Sequence, residues 1–174
     1  MTVSLHAALV PTWLQMLGGL SNVLDKAVAH CEANGIDTAT LADLKIAPDM
    51  FDFAYQVKAA GAHSLDCVDG ARAGVFTPAG EAPRDVASMK AALARAVAGL
   101  EAIAPEDMEA FADRPVELRF NSFTLPFASA EDFLLSFAQP NFFFHVTMAY
   151  AVLRNFGVAI GKGDYMGNIR ANFG

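Results

Sequence analysis

His63 and His145 are the side chains of this chain best suited to chemistry. Each falls inside an apolar, helix-like run, where a neutral imidazole can serve as a metal ligand or a general base. Zinc or nickel takes neutral imidazole, and a catalytic zinc site usually joins three protein donors and one open position. Two histidines are one donor short. Asn141 could add an amide oxygen, Cys67 a thiolate or Asp66 a carboxylate. On a helix, residues three and four apart are neighbours, so Asn141, His145 and Met148 share a face. The face carrying His63 also carries Gln56, Ala59, Ala60 and Cys67, and its small residues leave room beside the imidazole. Gln56 and Tyr150 are candidates to support the pair from behind. Without a metal, one histidine could act as a general base. The competing reading is a non-catalytic pocket in which two hydrogen-bonded imidazoles are polar markers, since buried polar groups are ordinarily satisfied by hydrogen bonds.

The remaining candidates read as structural. His30 lies near the end of a predicted helix, where it complements the dipole, and His6 has no evident partner. Cys31 and Cys67 are too few for a disulfide framework, and Cys67 reads as a buried, inert thiol. Arg154 reads as compensation for a helix C-terminus, and Lys162 and Asp164 as docking residues of the tail, in preference to anion binding.

Composition narrows the class. Apolar residues make up 54% of the 174 and charged residues 18%, which rules out wholesale disorder. The net charge is −7 and the Lys and Arg residues are scattered, so no basic face for nucleic acid is expected. Met1 to Leu24 lacks Asp, Glu, Lys and Arg, but Pro11, Thr12, Gln15, Ser21 and Asn22 interrupt it, unlike a signal peptide. Phe142 to Ile160 is apolar yet contains His145, Arg154 and Asn155, which suits a buried helix better than a membrane span. The expectation is one cytoplasmic domain over 1–174 with no membrane contact.

Four helices must position the histidines. The first runs from about Leu5 to Ala33, capped by Ser4, with Leu9, Trp13, Met16, Leu17, Leu20, Leu24 and Val28 as its stripe and Asn34-Gly35 as its stop. The second opens at Pro48-Asp49 and closes at Gly70 and Gly74. Residues 70–83 read as a loop. The third starts near Pro83 and ends before Pro105, with the cleanest stripe at Val86, Met89, Leu93, Val97, Leu100 and Ile103. Val116 to Phe120 and Phe123 to Phe127 alternate about Asn121-Ser122, the pattern of a β-hairpin. The fourth helix runs from Ser129 to Phe156, with Gly157 beyond it and Pro140 inside, where a kink should free the Ser136 carbonyl. The tail from Val158 shows no element. The resulting expectation is all-α: a four-helix bundle whose long crossover carries a short β-hairpin between helices three and four. Phe142, Phe143 and Phe144 cannot all face one way, so one or two should meet another element or a second subunit.

The block Gln139-Pro140-Asn141-Phe142-Phe143-Phe144-His145-Val146-Thr147-Met148-Ala149-Tyr150 continues to Leu153-Arg154-Asn155-Phe156-Gly157 and to Gly161-Lys162-Gly163-Asp164-Tyr165. Ile46-Ala47-Pro48-Asp49-Met50-Phe51 and Tyr55-Gln56-Val57 lie upstream. Over nearly its whole length the chain resembles an uncharacterised bacterial domain-of-unknown-function family within the DinB/YfiT-like superfamily. That resemblance implies a DinB-like bundle with a divalent-metal site between helices, frequent homodimers, and metal-dependent thiol transferase or isomerase activity on a small-molecule substrate. It implies a histidine ligand on helix two, matched by His63, and a His-x-x-x-His pair on helix four. His145 matches the second member of that pair, and the first falls on Asn141.

Overall fold

Each of the four helical rods begins where a short polar side chain can answer an unpaired backbone N–H, which helix starts require. The computed structural model describes residues 3–172; Met1, Thr2, Phe173 and Gly174 lie outside the described residues. Ser4 caps α1 (Leu5–Asn34) by accepting from the Ala7 N–H, and Gly35 ends it at φ 65°. A 3₁₀ segment, Thr38–Asp43, follows. The second rod is α2 (Phe53–Gly61), a π turn at Ala62–Asp66, and α3 (Cys67–Ala73). It starts later than Pro48-Asp49, because Asp52 and not Asp49 caps it, accepting from the Tyr55 N–H at 2.9 Å. It also runs through Gly70, which lies under Phe76 so closely that an added methyl would collide with it; Gly74 at φ 78° closes the rod.

The stretch expected as a loop contains β1 (Val75–Phe76). Two residues carry no readable period, and what makes them a strand is their parallel pairing with Glu117 and Leu118. Asp85 caps α4 (Val86–Glu101), and a short helix, α5 (Pro105–Glu109), begins at Pro105. Strands β2 (Val116–Phe120) and β3 (Phe123–Phe127) form the expected antiparallel hairpin, with Leu118 opposite Leu125 and Phe120 opposite Phe123. The sheet order is β1-β2-β3.

The last rod is α6 (Ala130–Phe133), capped by Ser129, then a π turn at Leu134–Ala138, then α7 (Gln139–Phe156). The π turn ends two residues before Pro140, with the Gln139 N–H reaching back to the Leu134 carbonyl, and so carries the change of register that the proline requires. In the tail, where no element was expected, α8 (Lys162–Met166) lies on α1. Asp164 holds it there, bonding Lys26 at 2.5 Å, Asn22 at 3.3 Å and its own Gly161 N–H at 2.8 Å.

The rods pack α1 on α4 and α7, and α2 on α4 and α7. Their stripes meet in one cluster that includes Trp13, Phe53, Leu93, Phe133 and Phe142. Burying one such phenylalanine stabilises the fold by about 1.5–3 kcal/mol. Phe142 faces inward against Trp13, with ring centroids 5.9 Å apart, whereas Phe144 is exposed. Among the described residues, no helix is long and apolar enough to cross a membrane.

Candidate functional site

The packing of the second rod, α2 and its π turn, against α7 brings His63 and His145 together. Their rings are nearly parallel, 6° apart, with centroids 5.3 Å from each other. Both are buried, at 9% and 7% exposure. His63 lies in the π turn of its rod, and His145 lies seven residues after the π turn of the other. A π turn widens the helix and re-aims side chains, and such turns occur frequently at functional sites.

Gln56 fixes the state of His145. Its side-chain nitrogen donates to the Phe51 carbonyl at 3.1 Å, so its oxygen faces His145 Nδ1, 2.7 Å away. A carbonyl oxygen only accepts, so Nδ1 carries the proton and the neutral ring keeps its lone pair on Nε2. His63 Nδ1 lies 3.9 Å from the Cys67 sulfur. Among the described residues, Trp13 Nε1 is the only fully buried side-chain nitrogen or oxygen without a partner.

Burial sets the electrostatics. It pushes the pKa of His63 from 6.5 to about 4, helped by the neighbouring His145, and burial alone does the same to His145. The Cys67 thiol is raised well above its ordinary value, first by burial and then by Asp66, so it stays protonated and is no nucleophile. Aromatic rings complete the surroundings. Tyr55 and Phe144 are edge-on to His145 at 5.8 and 5.2 Å. Phe137 and Phe76 approach His63 at 5.5 and 6.4 Å. Composition gave no reason to single out these four rings. The one available signal was the place of Tyr55 beside Gln56, two turns before His63.

The other candidates make contacts of their own. Asn141 turns back on its own helix, its amide nitrogen donating to the Phe137 carbonyl at 2.7 Å. Asp66 is paired with Arg95 at 2.6 Å. Tyr150 meets Tyr165 edge-on at 5.7 Å and lines a separate hollow of about 180 Å³ with Thr147 and Lys162. His30 contacts Phe156 at the far end of α7.

A metal can be tested against this donor set. Zinc–nitrogen bonds of about 2.0–2.1 Å hold the ring centroids of two ligands of one tetrahedral ion about 5 Å apart, so the ring separation fits. The Gln56 bond also matches the outer hydrogen bond that metal-binding histidines usually make. The third donor does not fit. Asp66 is paired with Arg95, the Asn141 amide nitrogen is held by the Phe137 carbonyl, and among the described residues no group of three or more His, Cys, Asp or Glu is placed to hold an ion. The set does not suit a resident ion with three protein ligands.

The fold is that of DinB proteins. A crystal structure of a DinB family member protein from Shewanella denitrificans superposes with a TM-score of 0.81 at 25% identity, covering 97% of this chain and 94% of that one. The chain belongs to the family described as Domain of unknown function (DUF1993), which it matches over residues 5–166. No curated protein matches it.

Proposed function

We propose that this protein is a DinB-like four-helix bundle, with its hairpin on the crossover, that binds a small molecule at the His63–His145 pair without a resident metal. The bond between Gln56 and His145 carries this reading. It orients a buried imidazole and leaves the lone pair of the opposite nitrogen outside that bond, which is how a binding site presents a polar group. The pKa values of about 4 support binding over base catalysis, because an efficient general base has a pKa near the working pH. Nitrogen NMR of the histidine side chains, recorded while untagged protein is titrated with a fragment library, tests the proposal. Ligands should shift His63 and His145 together. If every fragment that binds leaves both unchanged, the site lies elsewhere.

The ring separation favours a second reading, a zinc- or nickel-dependent thiol transferase or isomerase whose third donor comes from its ligand. Elemental analysis of protein purified without a histidine tag separates the two. Metal near one ion per chain, lost on His145→Ala, supports the second reading; trace metal that the substitution leaves unaltered supports the first. A homodimer belongs to the same proposal. The exposed hairpin residues Phe120, Phe123 and Leu125 support it, and sedimentation equilibrium tests it.

A further inference from the structure

The hollow between α7 and α8 is lined by groups of a different kind. Thr147 follows His145 by two residues, about 200° around the helix, so the hollow lies on another side of α7 from the histidine pair. Thr147 and Tyr150 come from α7, three residues apart and on one face; Lys162 and Tyr165 come from α8, again three apart. A bond of 2.9 Å between Thr147 Oγ1 and the Tyr165 hydroxyl ties the two faces together. Asp164 fixes α8 itself, through Lys26 and Asn22 of α1.

The polar groups of this lining all have hydrogens to give. Lys162 is exposed and takes part in none of the ion pairs formed among the described residues. An ammonium donates and never accepts. In the Thr147–Tyr165 pair, whichever hydroxyl accepts keeps a hydrogen of its own. Among the described residues no carboxylate lines the hollow, and the nearest in sequence, Asp164, is held by Lys26. In a chain of net charge −7, the hollow thus offers one positive charge and a spare O–H proton with no acid in its lining. A carboxylate accepts through two oxygens and answers both.

The rest of the lining is aromatic. Tyr150 and Tyr165 are half-buried and edge-on, with centroids 5.7 Å apart, and a third ring can join such a pair edge-on or offset. The volume of about 180 Å³ is below the roughly 300–1,000 Å³ of a drug-sized site, so the room suits a single ring. An inorganic anion would leave the tyrosines bare, and a cationic ring would meet the Lys162 ammonium.

We propose that this hollow binds a small aromatic carboxylate of the benzoate type, its carboxylate on Lys162 and the Thr147–Tyr165 hydroxyl pair and its ring against Tyr150 and Tyr165. The site is separate from the histidine pair and stands whether or not that pair holds a ligand. The test compares benzoate, benzamide and acetate on the full chain by calorimetry and ligand-observed NMR. Benzoate should bind about tenfold more tightly than benzamide, the gain from a charged partner for Lys162, and more tightly than acetate, which lacks the ring. Lys162→Gln, at an exposed position, should weaken benzoate about tenfold and leave benzamide as it was. Tyr150→Leu should weaken both severalfold with an unaltered circular dichroism spectrum. The side-chain nitrogen signals of His63 and His145 should stay in place when benzoate is added. Equal affinity for benzoate and benzamide, benzoate binding that survives Lys162→Gln, histidine signals that move with benzoate, or no saturable benzoate binding at all overturns the assignment.

Discussion

The side-chain oxygen of Gln56 lies 2.7 Å from Nδ1 of His145, across 89 residues of sequence. This bond joins α2 to α7 at the candidate site and decides which nitrogen of His145 is free. Gln56→Leu leaves a buried N–H unpaired, a loss of about 1–3 kcal/mol. Urea unfolding should register it, and NMR should show His145 sampling both tautomers. Gln56→Glu acts in the opposite sense on the charge. A carboxylate beside the ring favours imidazolium, so the His145 pKa should rise from about 4. An unchanged titration curve in that variant would contradict the bond.

Acid should destabilise the fold through the same two rings. Both histidines titrate lower in the folded chain, about 4, than in the unfolded chain, near 6.5. Between those values the unfolded chain binds protons that the folded chain refuses, so stability falls as pH drops from about 6.5 to about 4 and is flat above that window. The loss for the pair is on the order of a few kcal/mol. Replacing both histidines with Phe should flatten this part of the stability–pH curve while leaving the carboxylate-driven part below it. Denaturant midpoints at several pH values measure the difference.

The docking of α8 depends on missing side chains at Gly19 and Gly167. A methyl at Gly19 would strike the Tyr165 carbonyl. Gly19→Ala should release α8 and break the bond between Tyr165 and Thr147, at a cost of about 1–3 kcal/mol. Amide exchange should accelerate over 162–166, and the imidazole signals of His63 and His145 should stay in place. Protection that is unaltered would show that the helix backbone shifts to admit the methyl.

Phe133 fastens the sheet to the helices. Fully buried, it touches Phe76 of β1 and Phe127 of β3, with centroids 5.8 and 5.3 Å away. Phe133→Ala should cost about 3–5 kcal/mol. Exchange protection should drop in the hairpin before it drops in α1. A uniform loss across the chain would mean that the hairpin has no independent hold.

The helices and hairpin were legible because their signals are local. Stripes at Leu93 and Val97, and alternation about Asn121-Ser122, need no distant partner. Two acids near the start of the second rod, Asp49 and Asp52, look equivalent in sequence, and only the backbone path shows which one caps it. Strand β1 was illegible because a parallel bridge of two residues is made wholly by β2. That His63 and His145 lie side by side was readable from helical faces and from the family resemblance. Tyr150 was less so. It is five residues from His145 on the same helix, and the turn between them carries it to α8. The posture of Asn141 depends on the carbonyl one turn behind it, to which composition gives no clue.

The five-residue π turn holding His63 gives the second rod a turn longer than α-helical spacing allows. Rewinding 62–66 as ordinary α-helix with every residue kept would swing everything downstream by about 100°, one residue's share of a turn. Val68 and Ala71, now fully covered, would rotate off the core. The surplus residue therefore works as a phase adjuster, letting the upstream half of the rod aim at the imidazole of α7 while the downstream half keeps its grip on the sheet.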